Sequence, residues 1–452
     1  MASNVVPNIT DLLESDNYER LQKRNLHITI PDSEKRLLPI GIKMESSYPL
    51  CEMNPVEYQF ITTYKNKINQ EPYNMEWDQY KKYSNRYELV HMPNNKKKNH
   101  DSIAFYIPLS RSFFKLWEIL FDFDLLPPDR SVTTGHIAEG PGGFMEAWIR
   151  ARERQHGKCD DTLHGITLQS SKREIPGWEK MNYFIKSYGK NINIGYGSDG
   201  TGDIYQIHNI RHFIAQVGGP QSCYLVTADG GFDFSVDFLH QEQMAYKLIF
   251  SEILIALSIQ KIGGAFVCKL FDSFTFFTVK LIWLLNCCYR EVIITKPVTS
   301  RPANSEKYLL CRDFQGISND YLEKLLHTLF TWNQIEHEQK SEKVVDIFSS
   351  QLPPMYINII GRYNNFNVKK QLSSIMETLY WIEQNLKSKS MSDITKNQIE
   401  IAIQWCLKYH TVINYRSNYL ESSIGYKIKQ HQTALRKDRS DKIYNNSNVF
   451  FY

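Results

Sequence analysis

Between residues 103 and 312, short apolar runs alternate with segments of helical spacing, and this alternation constrains the chain more than any other feature. The spacing predicts strands over Val132–Ala138, His164–Leu168, Tyr224–Ala228, Ala265–Leu270, Glu291–Thr295 and Tyr308–Cys311. It predicts helices over Ser112–Leu126, Phe144–Arg152, Gln241–Gln260 and Phe276–Cys288. Strands alternating with helices make parallel β-α-β units, so the expected fold class is α/β with a doubly wound, mostly parallel sheet. In such sheets ligands sit outside the carboxyl ends of the strands.

The flanks differ in texture. Residues 1–100 form a polar, Tyr- and Asn-rich amino-terminal extension that ends in a loop-like run with the triplet Lys96-Lys97-Lys98. Residues 101–315 hold the alternating zone, and 316–452 read as a helical carboxy-terminal region. The basic tail there (Lys427, Lys429, Arg436, Lys437, Arg439, Lys442) reads as a solvated helix face. At 452 residues the chain exceeds the roughly 250–300 at which a single core stops growing. Hydrophobic residues at 42% exclude global disorder, and a net charge of +4 neither requires nor forbids nucleic acid.

The opening MASNVVPNITDLLESDNYER has acidic residues where a signal peptide carries basic and then apolar ones. The most apolar stretch, Phe274–Cys288, is short for a bilayer and contains Lys280. The expectation is a soluble intracellular protein with no membrane segment. Eight cysteines without a CxxC pair read as reduced, mostly buried thiols and not as a metal site.

Two sets of residues carry chemistry. In Glu139-Gly140-Pro141-Gly142-Gly143-Phe144, glycines directly after a strand let backbone approach a nucleotide closely, at the start of a helix with free N–H groups. The run is neither GxGxxG nor a GxxxxGK[ST] phosphate loop, so an adenosine-bearing cofactor without a long phosphate chain fits it better. Polar residues also fall at strand ends: Asp229 after YLVTA, Lys269 closing AFVCK, Glu306 before KYLLC, and Lys115 on the helix preceding the sheet. Singly each reads as a surface ion-pair member, but an unpaired ammonium closing an apolar strand is costly. Two lysines and two acids at one sheet edge describe a site that sets a lysine pKa.

Together AEGPGGF, TADGG (Thr227–Gly231), FVCKLFDSFT (Phe266–Thr275) and TSRPANSEKYLLC (Thr299–Cys311) resemble the FtsJ-like, or RrmJ-like, RNA 2′-O-methyltransferases. Within that class they are most similar to the eukaryotic and large-DNA-virus enzymes that make cap 1 on mRNA. The resemblance spans about residues 110–312. It implies a Rossmann-like fold that binds S-adenosyl-L-methionine. It also implies a catalytic tetrad of Lys115, Asp229, Lys269 and Glu306, with Lys269 as general base. By the same resemblance Glu139 to Phe144, Asp203 and Asp229 bind the cofactor. Arg301, Asn304 and Ser305 lie in the segment the family uses near the capped nucleotide. Ser110, beside Arg111, stands where the cap enzymes often have Asn. Lys81–Glu88 is similar to the family's upstream cap-contacting segment, so Lys81, Ser110 and Arg111 join the substrate side. After the second strand GITLQ lacks the acidic ribose ligand of many class members, as the cap enzymes also do.

The implied reaction is methyl transfer to the ribose 2′-hydroxyl of the first transcribed nucleotide of capped mRNA. The capped 5′ end would be the partner, and the resemblance leaves room for association with other capping or transcription proteins. The implied setting is the nucleus, or the cytoplasm or virion for a viral protein. Two other readings stand beside it: a 2′-O-methyltransferase of ribosomal or other structured RNA, and an inactive RNA-binding module. A nicotinamide-dependent oxidoreductase is disfavoured because GxGxxG and its acidic partner are missing.

Overall fold

A computed structural model describes residues 25–92, 102–172, 175–232, 240–338, 341–384, 388–430 and 432–433. The opening twenty residues, the Lys96–Lys98 triplet and Arg436, Lys437, Arg439 and Lys442 lie outside the described residues.

The chain opens with strands β1 (Leu26–Ile28) and β2 (Ile40–Glu45) and helices α1 (Pro55–Ile68), α2 (Tyr73–Ser84) and α3 (Ser112–Asp122). The alternating zone follows: β3 (Thr133–Ile137), α4 (Gly143–His156), β4 (Thr162–Ile166), α5 (Asn182–Tyr188), β5 (Ile192–Gly195), α6 (Ile207–Gln216) and β6 (Cys223–Ala228). It continues with α7 (Gln241–Met244), α8 (Tyr246–Ile259), β7 (Gln260–Leu270), α9 (Phe276–Cys288), β8 (Tyr289–Thr295) and β9 (Lys307–Phe314). The remainder is α10 (Asn319–Glu338), β10 (Lys343–Phe348), α11 (Pro354–Glu383) and α12 (Ser388–Lys408).

Eight strands form one sheet in the order β1-β8-β9-β7-β6-β3-β4-β5. The ladders β5-β4-β3-β6-β7 are parallel, while β9 runs against β7 and β8, and β1 against β8. This is the expected α/β, mostly parallel architecture. The chain winds outward from β3 through β4 and β5, then returns to β6 on the other side of β3. The carboxyl ends of β3 and β6 therefore border the switch point where such sheets bind ligands.

The central strands β3, β4, β6 and β9 are largely buried because both faces are covered, and their side chains alternate between two cores. Val226, Phe266, Cys268, Leu309 and Cys311 face a cluster with Ile253, Trp283 and Leu329. Leu225, Val267, Leu310 and Tyr308 face the other, with Trp117, Trp148 and Trp405. The latter core is built from α3, α4 and α12, so the carboxy-terminal helix packs as an integral layer.

Several expectations change. The helix expected to reach Leu126 stops at Asp122: Asp124 takes a left-handed φ of 50°, and Pro127 and Pro128 follow. The helical run Gln241–Gln260 is two helices, interrupted at Ala245. The carboxy-terminal region is not all helical. Its strand β10 pairs antiparallel with β2 of the amino-terminal extension. That extension also holds α1 and α2 in addition to loops, and its β1 extends the main sheet along β8. Short β1, β2, β5 and β10 escaped periodicity because their edges are half exposed or only three to six residues long. Six of the eight cysteines are buried, and all are free thiols. No helix among the described residues is long and apolar enough to cross a membrane.

Candidate active site

Helix α3, SFFKLWEILFD, buries Phe113, Phe114, Leu116, Trp117, Ile119 and Leu120, leaving Lys115 partly open on its free face. Lys115 Nζ reaches Glu306 at 2.7 Å (Oε1) and 2.8 Å (Oε2). Glu306 sits there because β9 runs antiparallel to β7, so the residue before β9 lies beside the end of β7. Ser300 Oγ donates to Glu306 Oε1 at 2.8 Å. Burial alone would raise the Glu306 carboxyl, but Lys115 and then Lys269 hold it down to about 2.

At the ends of β6 and β7, Lys269 Nζ lies 3.3 Å from Asp229 Oδ1 and donates to the Asp229 carbonyl at 2.7 Å. Tyr308 Oη donates to Asp229 Oδ1 at 2.9 Å, and Tyr308 is the register partner of Lys269. The lysine passes close over Gly231, where a Cβ would stand 3.0 Å from its Nζ. Burial alone would lower Lys269, but Asp229, Glu306 and Glu252 outweigh it and hold the lysine above its ordinary value. The four residues singled out at strand ends thus form two ion pairs at one sheet edge.

Beside them the glycine turn leaves β3. A Cβ on Gly140 would come within 1.9 Å of the Pro176 carbonyl oxygen, and Gly142 has a left-handed φ of 103°. Beneath it, Glu139 Oε2 meets His136 Nδ1 at 3.1 Å, while Oε1 is buried without a partner among the described residues. Burial pushes this carboxyl up. Gly140 N–H donates to Thr167 Oγ1 at 3.2 Å, so a residue of the GITLQ stretch at the end of β4 ties down the turn. The Asp203 loop reaches the same Thr167 from the other side, since a Cβ on Gly202 would lie 1.7 Å from the Thr167 carbonyl oxygen. Asp203 accepts from Tyr205 N–H and Gln206 Nε2, both at 2.9 Å. A cradle closed to any side chain and an unpartnered buried acceptor fit a nucleoside-bearing cofactor.

Of the other residues singled out, Arg111 and Arg301 converge on the buried Glu88 at 3.3 and 3.2 Å. Burial alone would raise Glu88, but the two arginines hold it below its ordinary value. Arg301 Nε is buried without a partner among the described residues. Ser305 Oγ donates to Gln241 at 2.6 Å, Asn304 is exposed, Ser110 Oγ lies 2.5 Å from Ser112 Oγ, and Lys81 pairs with Asp78. None of these is thereby assigned a ligand.

Sequence reasoning missed Glu252 on α8. Its Oε1 accepts from Gly230 N–H at 3.0 Å, and Oε2 lies 3.6 Å from Cys268 Sγ. Burial pushes it up to about 8 against the pull of Lys269. A glutamate inside the apolar run YKLIFSEILIALSI was the available signal.

Residues 108–314 match the family described as FtsJ-like methyltransferase. Cap-specific mRNA (nucleoside-2′-O-)-methyltransferase 1 of Mus musculus is 33% identical over 243 residues, covering 52% of this chain and 27% of that protein. The Homo sapiens protein of the same name is 34% identical over 215 residues, covering 46% and 25%. That of Caenorhabditis elegans is 30% identical over 302 residues, covering 63% and 30%. The chain spans roughly a quarter to a third of the length of these relatives. The matched stretch runs from just before α3 to the end of β9, so it contains the glycine turn and both ion pairs. Helices α10 to α12 lie beyond it.

Proposed function

We propose that this chain transfers a methyl group from S-adenosyl-L-methionine to the ribose 2′-hydroxyl of the first transcribed nucleotide of capped mRNA. The observation that carries the reading is the pairing of Lys269 with Asp229 and of Lys115 with Glu306 beside the glycine turn. Residues Glu139 to Phe144, Asp203 and Asp229 would hold the cofactor, which when bound supplies an electrophilic methyl and a positive charge.

A ribose hydroxyl is a poor nucleophile at neutral pH and must lose its proton as it attacks. Lys269 is the proposed acceptor of that proton. The ammonium that results is held by the Asp229 carboxylate and carbonyl, the two contacts it makes in this structure. Those contacts also keep the lysine charged, and Lys115 offsets them little because Glu306 neutralises it at 2.7 Å. The neutral form therefore depends on further positive charge at the site, which the bound cofactor brings. Lys115 and Glu306 fix the opposite wall, so positioning of the hydroxyl supplies most of the rate gain.

Arg111, Arg301, Lys81, Ser110, Asn304 and Ser305 form the proposed substrate side. The extension 1–100 would add RNA contacts to the catalytic zone 101–315, with 316–452 as a helical region. On this reading the chain works where capped transcripts are made, in the nucleus or, for a viral protein, in the cytoplasm or virion. The relatives' printed names support the cap as substrate. Radiolabelled methyl transfer to short capped and uncapped RNAs, followed by mapping of the modified ribose, tests it. Label on the first transcribed nucleotide of capped RNA alone is the expected result. Equal transfer to uncapped structured RNA would move the target to another RNA class.

A further inference from the structure

Helix α12 lies outside the FtsJ-like match, yet it reaches the segment that carries Glu306. Trp405 Nε1 donates to Glu118 Oε1 at 3.2 Å. Glu118 is buried on α3, one turn beyond Lys115, and accepts the backbone N–H groups of Val298 (2.7 Å) and Thr299 (2.9 Å). Those two residues open the connection from β8 to β9. The next residue, Ser300, donates to Glu306, which pairs with Lys115. Helix α3 therefore grips this connection twice, at its start through Glu118 and at its end through Lys115. The Trp405 ring also packs edge-on against Phe114, 5.5 Å between centroids. One turn along α12, Lys408 and Tyr409 both donate to Asp122 at 2.9 Å, which holds the far end of α3.

The same helix holds the other wall. Gln398 Nε2 donates to the carbonyls of Lys82 (2.9 Å), Tyr83 (3.3 Å) and Asn85 (2.8 Å) at the end of α2. Glu88, three residues further, collects Arg111 and Arg301. A carboxylate that takes three N–H groups in a buried place is costly to disturb, because each donor would lose its acceptor.

We infer that Glu118 and Trp405 are positioning residues for the Lys115–Glu306 pair, so that α12 is part of the assembled site. The inference rests on the function proposed above for what the pair does, but not for how it is held. Trp405→Phe keeps one aromatic ring against Phe114 but removes the N–H donor together with the fused five-membered ring. Glu118→Gln turns an amide N–H₂ toward at least one backbone donor.

The test uses the full chain and two measurements. In methyl transfer to capped RNA, Trp405→Phe lowers kcat about five- to tenfold and Glu118→Gln about 10- to 100-fold. Cofactor affinity and stoichiometry stay at the wild-type values in calorimetry. The double variant is no slower than Glu118→Gln alone, since Trp405 acts through that carboxylate. Hydrogen exchange gives a readout independent of substrate: amides of residues 296–306 exchange faster in Trp405→Phe by more than the loss of global stability, read from the amides of β3 and β6, accounts for. Wild-type exchange across that segment in Trp405→Phe, or losses in kcat that simply add, would overturn the inference. An inactive wild type with faster exchange in Trp405→Phe would remove the proposed function and leave the positioning in place.

Discussion

Lys115 and Glu306, 191 residues apart in the chain, meet at 2.7 Å in a pair whose side chains are each only 14% exposed. The pair joins the helix before the sheet to the one antiparallel turn at its ligand edge. Its neighbour, Lys269 with Asp229, joins the ends of β6 and β7.

Replacing Lys269 with Ala is expected to reduce methyl transfer at least about 10³-fold, the scale of a lost general base with its positioning. Cofactor binding by calorimetry should change little. Lys269→Arg should fail as well, because a guanidinium does not give up its proton. Turnover within tenfold of wild type in either variant would remove the base.

Lys115 and then Lys269 outweigh the effect of burial and hold the Glu306 carboxyl down to about 2. Because its folded value lies below the unfolded value near 4.5, its contribution to stability is present above 4.5 and is lost as pH falls through about 2. Glu306→Gln should destabilise the protein on the order of 2 kcal/mol at pH 7, and the difference should shrink in acid. Urea melts at pH 7 and pH 3 measure both.

Glu252 has the opposite sign. Burial pushes its carboxyl up to about 8, so the stability linked to its proton is present below about 4.5 and is lost as pH rises through 8. The wild type should lose stability between about pH 5 and pH 8, and Glu252→Gln should flatten that slope while keeping the contact to Gly230. Thermal melts across the range check it, and identical slopes for the two proteins would contradict it.

Gly140→Ala places a methyl where the Pro176 carbonyl oxygen stands, 1.9 Å from the ideal Cβ. The backbone must shift, and the turn with it. Cofactor affinity should fall at least about tenfold, by analogy with close-approach glycines of nucleotide turns. Equilibrium dialysis with the cofactor measures it.

Much of the central zone is legible in the amino-acid order. Runs such as YLVTA and AFVC are mostly apolar because helices cover both faces, and that pattern is a local property. The spacing places helix Phe276–Cys288 to the residue and β3, β4 and β6 to within two residues, while β7 begins five residues before the expected Ala265. The glycine turn was legible too, since a tight strand-to-helix corner needs residues without a Cβ. Partnership is different, because it depends on which edges the chain brings together. Nothing local to Glu118 marks it as the acceptor for Val298 and Thr299, 180 residues and more away. Nothing in KVVDIF shows that it pairs with a strand near the amino terminus. The balance of charge on Lys269 was likewise undecided by residue types: Lys115 and the acids pull in opposite directions, and only distance ranks them. In the folded chain Glu306 neutralises Lys115 while Asp229 sits 3.3 Å from Lys269, so the acids prevail. Side-chain type and spacing set the elements, whereas Coulomb and hydrogen-bond energies fall off over a few ångströms and are decided by packing alone.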